Sequence, residues 1–124
     1  MKATEARNLW LAELRTAGAS GYTVRNYTPA TDEAERLVAA RRGIATGALE
    51  LAGIERDDVV AALDGYTTYT ARSGSTATRA RSTQLSFYTA LRSFLSWCVE
   101  ADKLTRNPMA TIKQPTLPTL SRKP

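Results

Sequence analysis

The chain has 124 residues, of which 43% are hydrophobic and 23% charged, which is typical of one compact globular domain and not of a disordered chain. One cysteine and no histidine exclude an internal disulfide and leave too few ligands for a structural zinc site. No apolar stretch reaches the roughly 20 residues of a membrane-spanning helix, and the N-terminus lacks the apolar core of a secretory signal. We therefore expect a soluble cytoplasmic protein with no membrane partner, metal or cofactor.

Charge is distributed unevenly along the chain. Residues 1–70 hold eight basic and ten acidic side chains, a net charge of −2. Residues 71–124 hold nine basic and two acidic side chains, a net charge of +7. This asymmetry indicates a polyanionic partner that meets the C-terminal half, although positive charge also serves solubility alone.

The first half of the chain predicts two long helices. Apolar residues at helical spacing predict the first over residues 4–17, and Gly18 ends it. The second runs over residues 22–42 and contains Pro29, which costs about 3 kcal/mol inside a helix. Either the helix kinks at the proline, which we favour, or a short turn precedes a helix that begins near Thr31.

The second half predicts two more helices after a connection over residues 43–54. A third helix begins at Asp57 and reaches about Ala71, although Gly65 weakens it by about 1 kcal/mol. The fourth, over residues 82–101, has an apolar face opposite a stripe of small hydroxyls. That stripe permits close approach of another backbone and offers donors to phosphate oxygens, or else it contacts another helix. The stripe consists of Ser82, Ser86, Thr89, Ser93 and Ser96, and the apolar face of Phe87, Tyr88, Leu91, Phe94, Leu95 and Cys98.

Together these elements predict an all-α fold, a compact bundle of four main helices without a sheet. Residues 1–112 form the domain, and the proline-spaced residues 113–124 form an extended linker. We expect Cys98 to be a buried, inert thiol. The predicted core brings together Trp10, Tyr27, Leu63, Leu91, Phe94 and Leu95.

The order and spacing of several residues resemble the N-terminal core-binding, or SAM-like, domain of the tyrosine recombinases, also called phage integrases. The resemblance covers about residues 5–120, and Pro29 departs from it. Its C-terminal part consists of Thr83, then ALRSFLSWC at residues 90–98, then LTRNP at residues 104–108, and its N-terminal part of Ser20, Thr23 and Tyr27.

The resemblance implies a clamp domain that binds double-stranded DNA and positions a site-specific recombinase for integration or excision. Its partners would then be the duplex, a C-terminal catalytic domain and other recombinase protomers. In the family, the second and fourth helices face the major groove, which implies contacts from Thr23, Arg25, Asn26, Ser82, Thr83 and Ser86. From the charge distribution we add Arg79 and Arg81, since arginine binds phosphate or guanine.

Family members cut DNA with a tyrosine nucleophile, assisted by arginines, a lysine and histidines of the catalytic domain. This chain has no histidine and ends where that domain would begin, so we expect it not to be an enzyme by itself. None of its five tyrosines is predicted to be a nucleophile. Two alternatives remain: a helical protein-interaction module, and a stand-alone regulator with a helix-turn-helix. Connections at residues 43–54 and 72–81 are long for that motif.

Overall fold

Residues 1–116, the part of the chain that the computed structural model describes, contain four α-helices and one small antiparallel sheet. Two single-turn 3₁₀ helices, Thr46–Ala48 and Leu51–Gly53, lie in the connection between the second and third α-helices. The prediction of four helices is confirmed, although the third is shorter than predicted, and the prediction of no sheet is wrong. Of the predicted linker, residues 113–116 form no helix or strand, and residues 117–124 lie outside the described part. The elements are α1 (Ala3–Thr16), α2 (Gly21–Arg42), α3 (Arg56–Gly65), β1 (Thr68–Thr70), β2 (Thr76–Thr78) and α4 (Arg81–Glu100).

The core lies where the apolar face of α4 packs against α1, α2 and α3. Trp10 is stacked on Tyr27, with 5.5 Å between ring centroids, and its centroid lies 5.3 Å from that of Phe94. Leu91 and Leu95 are buried in the same cluster, so four of the six predicted core residues are confirmed as buried together. Tyr27 and a further predicted member, Leu63, are only partly buried against it.

The thiol of Cys98 lies on the buried face of α4, as predicted. Burial raises the pKa of Cys98 to about 12. Because the thiolate is the nucleophilic form of cysteine, this side chain is unreactive at neutral pH.

Helix α2 runs without a break through Pro29, so the alternative of a separate helix from Thr31 is wrong. Proline lacks the N–H that would continue the ladder of intrahelical hydrogen bonds. Two hydroxyls donate to carbonyls in the turns beside it: Thr28 Oγ1 to Val24 O at 2.7 Å, and Thr31 Oγ1 to Tyr27 O at 2.8 Å. These bonds add polar contacts within the two turns that the proline weakens.

Asp58 joins the end of α2 to the start of α3. Its buried carboxylate accepts hydrogen bonds from Arg41 Nη1 at 2.6 Å and Arg42 Nε at 3.1 Å. It also accepts from the backbone N–H of Glu55 at 2.8 Å, which caps α3. A second pair, Arg7 with the buried Glu35, joins α1 to α2 at 3.2 Å. Every salt bridge among the described residues lies within residues 1–58.

The third helix ends at Gly65 rather than near residue 71, and a β-hairpin follows it. Tyr69, which was predicted to lie in that helix, is the middle residue of β1. The threonines around it favour extended backbone because they are branched at Cβ. The turn closes through Ala71 N–H donating to Ser75 O at 2.8 Å, with Gly74 at a positive φ of 90° that glycine adopts without strain.

Among residues 1–116, no helix combines the length and the apolar character needed to cross a membrane.

Candidate nucleic-acid interface

An open groove of about 720 Å³ lies between the N-terminal halves of α2 and α4, and Tyr66 and Arg79 also line it. The predicted DNA-contacting residues come from positions 23–26 and 79–86, which are remote in sequence. Five of the eight line this groove: Thr23, Asn26, Arg79, Thr83 and Ser86. The fold therefore brings most of the predicted site together.

The other three predicted residues, Arg25, Arg81 and Ser82, are exposed but do not line the groove. Arg25 and Arg81 each lie two residues from a groove-lining threonine, and two helical steps separate side chains by about 160° around a helix. Arg81 Nη1 lies 3.5 Å from Gln84 Oε1 on its own helix. These two arginines consequently flank the groove and do not enter it.

Arg79 is the most constrained side chain of the site. Its guanidinium carbon lies 4.1 Å from the ring centroid of Tyr66 and 5.0 Å from that of Tyr69. The Tyr66 ring is in turn stacked on Phe87, with 3.8 Å between centroids and 6° between planes. The backbone N–H of Arg79 donates to Thr67 O at 2.8 Å. Tyr66, Tyr69 and Phe87 therefore form an aromatic platform that holds the guanidinium in the groove lining.

The polar capacity of Arg79 is unused within the described chain. Its Nε is buried and has no acceptor among residues 1–116. No carboxylate of those residues lies within salt-bridge distance of it. A buried donor without a partner costs about 1–3 kcal/mol. The charge of the Arg79 guanidinium is likewise not neutralised within residues 1–116.

The two walls of the groove differ in charge. On the α2 wall, Glu33 accepts a hydrogen bond from Arg36 Nε at 2.8 Å. The hydrogen bond from Arg36 lowers the pKa of Glu33 against the opposing effect of burial, and the positive charges of Arg36 and Arg79 add to the lowering. On the α4 wall, hydroxyls stand beside Arg79, and the sequence holds no Asp or Glu from residue 65 to residue 99. An anion is therefore favoured on the α4 side.

The start of α4 adds to that preference. Ala80, its N-cap, provides no side-chain hydrogen bond, and the first turn contains no acidic residue. The free N–H groups and the helix dipole leave positive potential at this end. Arg79 and this helix start together form one electropositive corner of the groove.

The hydroxyl stripe of α4 divides into two parts. Ser82, Ser86 and Thr89 are exposed, which leaves them available to a partner. Ser93 is half-buried, and Ser96 accepts a hydrogen bond from Asn107 Nδ2 at 3.4 Å. The N-terminal part of the stripe is therefore exposed, whereas Ser96 at its C-terminal end contacts the following segment of the chain.

Three aromatic residues of this region were not predicted as part of the site. Tyr22 lines the groove with 70% of its surface exposed, and Tyr66 and Tyr69 hold Arg79. Tyr66 and Tyr69 are three residues apart, which is a helical spacing, so both were assigned to the third helix. The threonines that separate them, which favour strands, were the available signal for a hairpin.

Among residues 1–116, no group of three or more acidic or cysteine side chains is arranged to hold a metal ion. Comparison of the chain with protein families, with characterised proteins and with solved structures found no significant match. The geometry and charge of the groove are therefore the observations that bear on function.

Proposed function

We propose that this domain binds double-stranded DNA through the groove between α2 and α4. In this proposal it is the SAM-like core-binding clamp domain of a cytoplasmic tyrosine recombinase, and it positions the enzyme for DNA integration or excision. The observation that carries the proposal is the convergence of Thr23, Asn26, Thr83 and Ser86 around an arginine without a carboxylate partner.

Each side chain has a role that its chemistry supports. Arg79 binds a phosphate or the O6 and N7 atoms of guanine, and Asn26 is suited to the N6 and N7 atoms of adenine. The hydroxyls of Thr83 and Ser86 donate to phosphate oxygens and fix the register of the protein on the duplex. Because Tyr66 already holds the guanidinium in place, Arg79 loses little side-chain entropy on binding.

The dimensions of α4 suit this role. An α-helix with its side chains is about 10–12 Å wide, and the major groove of B-DNA is about 12 Å wide. The first turns of α4 expose the small side chains of Ser82, Thr83 and Ser86, together with the basic Arg81. Strand cutting and strand exchange belong, in this proposal, to a separate catalytic domain and to neighbouring protomers on the DNA.

Backbone amide chemical shifts followed during titration with a short duplex test the proposal. We expect perturbations at residues 22–30 and 79–89, with an affinity near the non-specific range of about 10⁻⁴–10⁻⁶ M at physiological salt. Perturbations confined to α1, together with binding that does not weaken as salt rises, would instead favour the protein-interaction module.

A matched pair of variants locates the charge that matters. Arg79→Gln should weaken binding and reduce the slope of log K against log salt by about one unit. Arg15→Gln removes the same charge from an exposed position on α1 and should leave the slope unchanged. Equal effects of the two variants would contradict a specific role for the groove. Circular dichroism of both variants checks that they are folded.

A further inference from the structure

We propose that the hairpin of β1 and β2 is a second DNA-contacting element, which binds the sugar–phosphate backbone through Arg72 and a face of four threonines. The inference rests on the proposed function, since the partner is the same duplex that occupies the groove. It adds a surface outside the groove and assigns it the backbone of the DNA, not the base edges.

The pairing of the strands places the hydroxyls on one face. Side chains alternate between the two faces of a strand, and directly paired residues share a face. The middle pair, Tyr69 with Ala77, lies on the face that meets Arg79, so the flanking pairs lie on the opposite face. All four members of those pairs are exposed: Thr68 with Thr78, and Thr70 with Thr76.

The charge of this surface suits phosphate. Arg72 is exposed at the turn and forms no ion pair with residues 1–116. The hairpin lies in the acid-free stretch from residue 65 to residue 99. Arginine and small hydroxyls are the usual donors to DNA phosphates. An apolar protein partner would instead require an apolar surface, which the threonine face does not provide.

The hairpin is joined directly to the groove. Its base is closed by the hydrogen bond from Arg79 N–H to Thr67 O, and the Arg79 side chain is part of the groove. Each strand has three residues, which corresponds to about 10 Å of extended chain, and the turn lies beyond the strands. The hairpin therefore lies directly beside Arg79, a residue of the groove between α2 and α4.

The hairpin is also held in place before DNA arrives. An isolated two-stranded hairpin is at best marginally stable in water. Here the guanidinium of Arg79 lies against both Tyr66 and Tyr69, which links the base of the hairpin to α3 and α4. The hairpin is thus already ordered, so its threonine face binds DNA without a large loss of conformational entropy.

Two hairpin variants of the full chain test the inference by fluorescence anisotropy with a labelled duplex at several salt concentrations. Arg72→Gln should weaken binding to all sequences alike and reduce the salt slope by about one unit. Replacing Thr70 and Thr76 with Val keeps the branched shape and removes two donors. It should weaken binding by about twofold to tenfold for each lost hydrogen bond, with the salt slope unchanged.

Arg106→Gln is the matched control, because Arg106 is an exposed cation of the same half of the chain that follows the far end of α4. A helix of that length spans about 30 Å. If Arg106→Gln weakens binding as much as Arg72→Gln, or if both hairpin variants bind like the wild type while Arg79→Gln does not, the hairpin inference is overturned and the proposed function stands. If the wild-type chain binds no DNA, both are overturned.

Discussion

The arginines of the two halves of this domain serve different purposes. In the first half, Arg7, Arg41 and Arg42 pair with buried carboxylates and join helices to one another. From residue 72 onward, no arginine of the described chain has a carboxylate partner, and Arg79 lies on tyrosine rings instead. Three arginines of the first half therefore stabilise contacts between helices, whereas the arginines of the second half remain available to a polyanion. The predictions below test this division.

The largest effect should come from the paired half. Asp58→Ala removes the acceptor for Arg41 and Arg42 and the cap of α3. We expect the free energy of unfolding to fall by about 2–4 kcal/mol, less than for a fully buried pair because both arginines are partly exposed. Urea denaturation measures the change. Asp57→Ala, at the exposed neighbouring position, is the control and should cost no more than about 1 kcal/mol.

The same carboxylate gives the paired half a pH dependence. Burial raises the pKa of Asp58, but hydrogen bonds from Arg42 and from the Glu55 backbone, with the charge of Arg42, outweigh it and lower the pKa overall. A lowered folded-state pKa stabilises the fold above the unfolded value of about 3.9, and this stabilisation is lost as the pH falls through the folded-state pKa.

We therefore predict that the free energy of unfolding of the wild type falls below pH about 4 more steeply than that of Asp58→Asn. Urea denaturation at a series of pH values from neutral to acidic provides the comparison. Parallel pH profiles of the two proteins would show that Asp58 does not contribute to acid sensitivity.

The sequence predicts an element well when its hydrophobic pattern repeats over a long segment, and poorly when the segment is short. Helix α4 was predicted over residues 82–101 and spans Arg81–Glu100, because its apolar face repeats over several turns. The hairpin has strands of three residues, too short for a period, and Gly65 ends α3 where Tyr66 and Tyr69 imitate a further helical turn. The strand preference of the threonines was a weaker signal than the helical spacing of the two tyrosines.

The site was predicted only as a set of residues. Resemblance and charge indicated residues on the second helix and near the start of the fourth, and five of them share a groove. Which of them face one another depends on the rotation of α2 and α4 about their axes, and a sequence pattern does not determine this across Pro29. Tyr69 of the hairpin forms part of the aromatic platform under Arg79. Because the hairpin was not predicted, the platform was not predicted either.

A smaller effect should come from the platform itself. Tyr66→Leu keeps apolar contact with Phe87 but removes both the ring stack and the cation–π contact with Arg79. We expect a loss of about 1–2 kcal/mol in stability. Amide hydrogen exchange should become faster at Arg79, whose N–H closes the hairpin, while residues of α1 keep their protection. Uniform loss of protection would indicate a general core defect and not a local support for Arg79.

The smallest effect should separate two neighbours on α2. Asn26 lines the groove, whereas Arg25 points away from it and is exposed. If the groove reads base edges, Asn26→Ala should change the preference among duplex sequences by up to about tenfold, which is close to 1.4 kcal/mol. Arg25→Ala should instead weaken binding to every sequence alike and reduce the salt slope by no more than about one unit. Competition binding with a panel of duplexes that differ at single base pairs measures both variants. A change of sequence preference in Arg25→Ala but not in Asn26→Ala would move the base-reading surface out of the groove, to the outer face of α2.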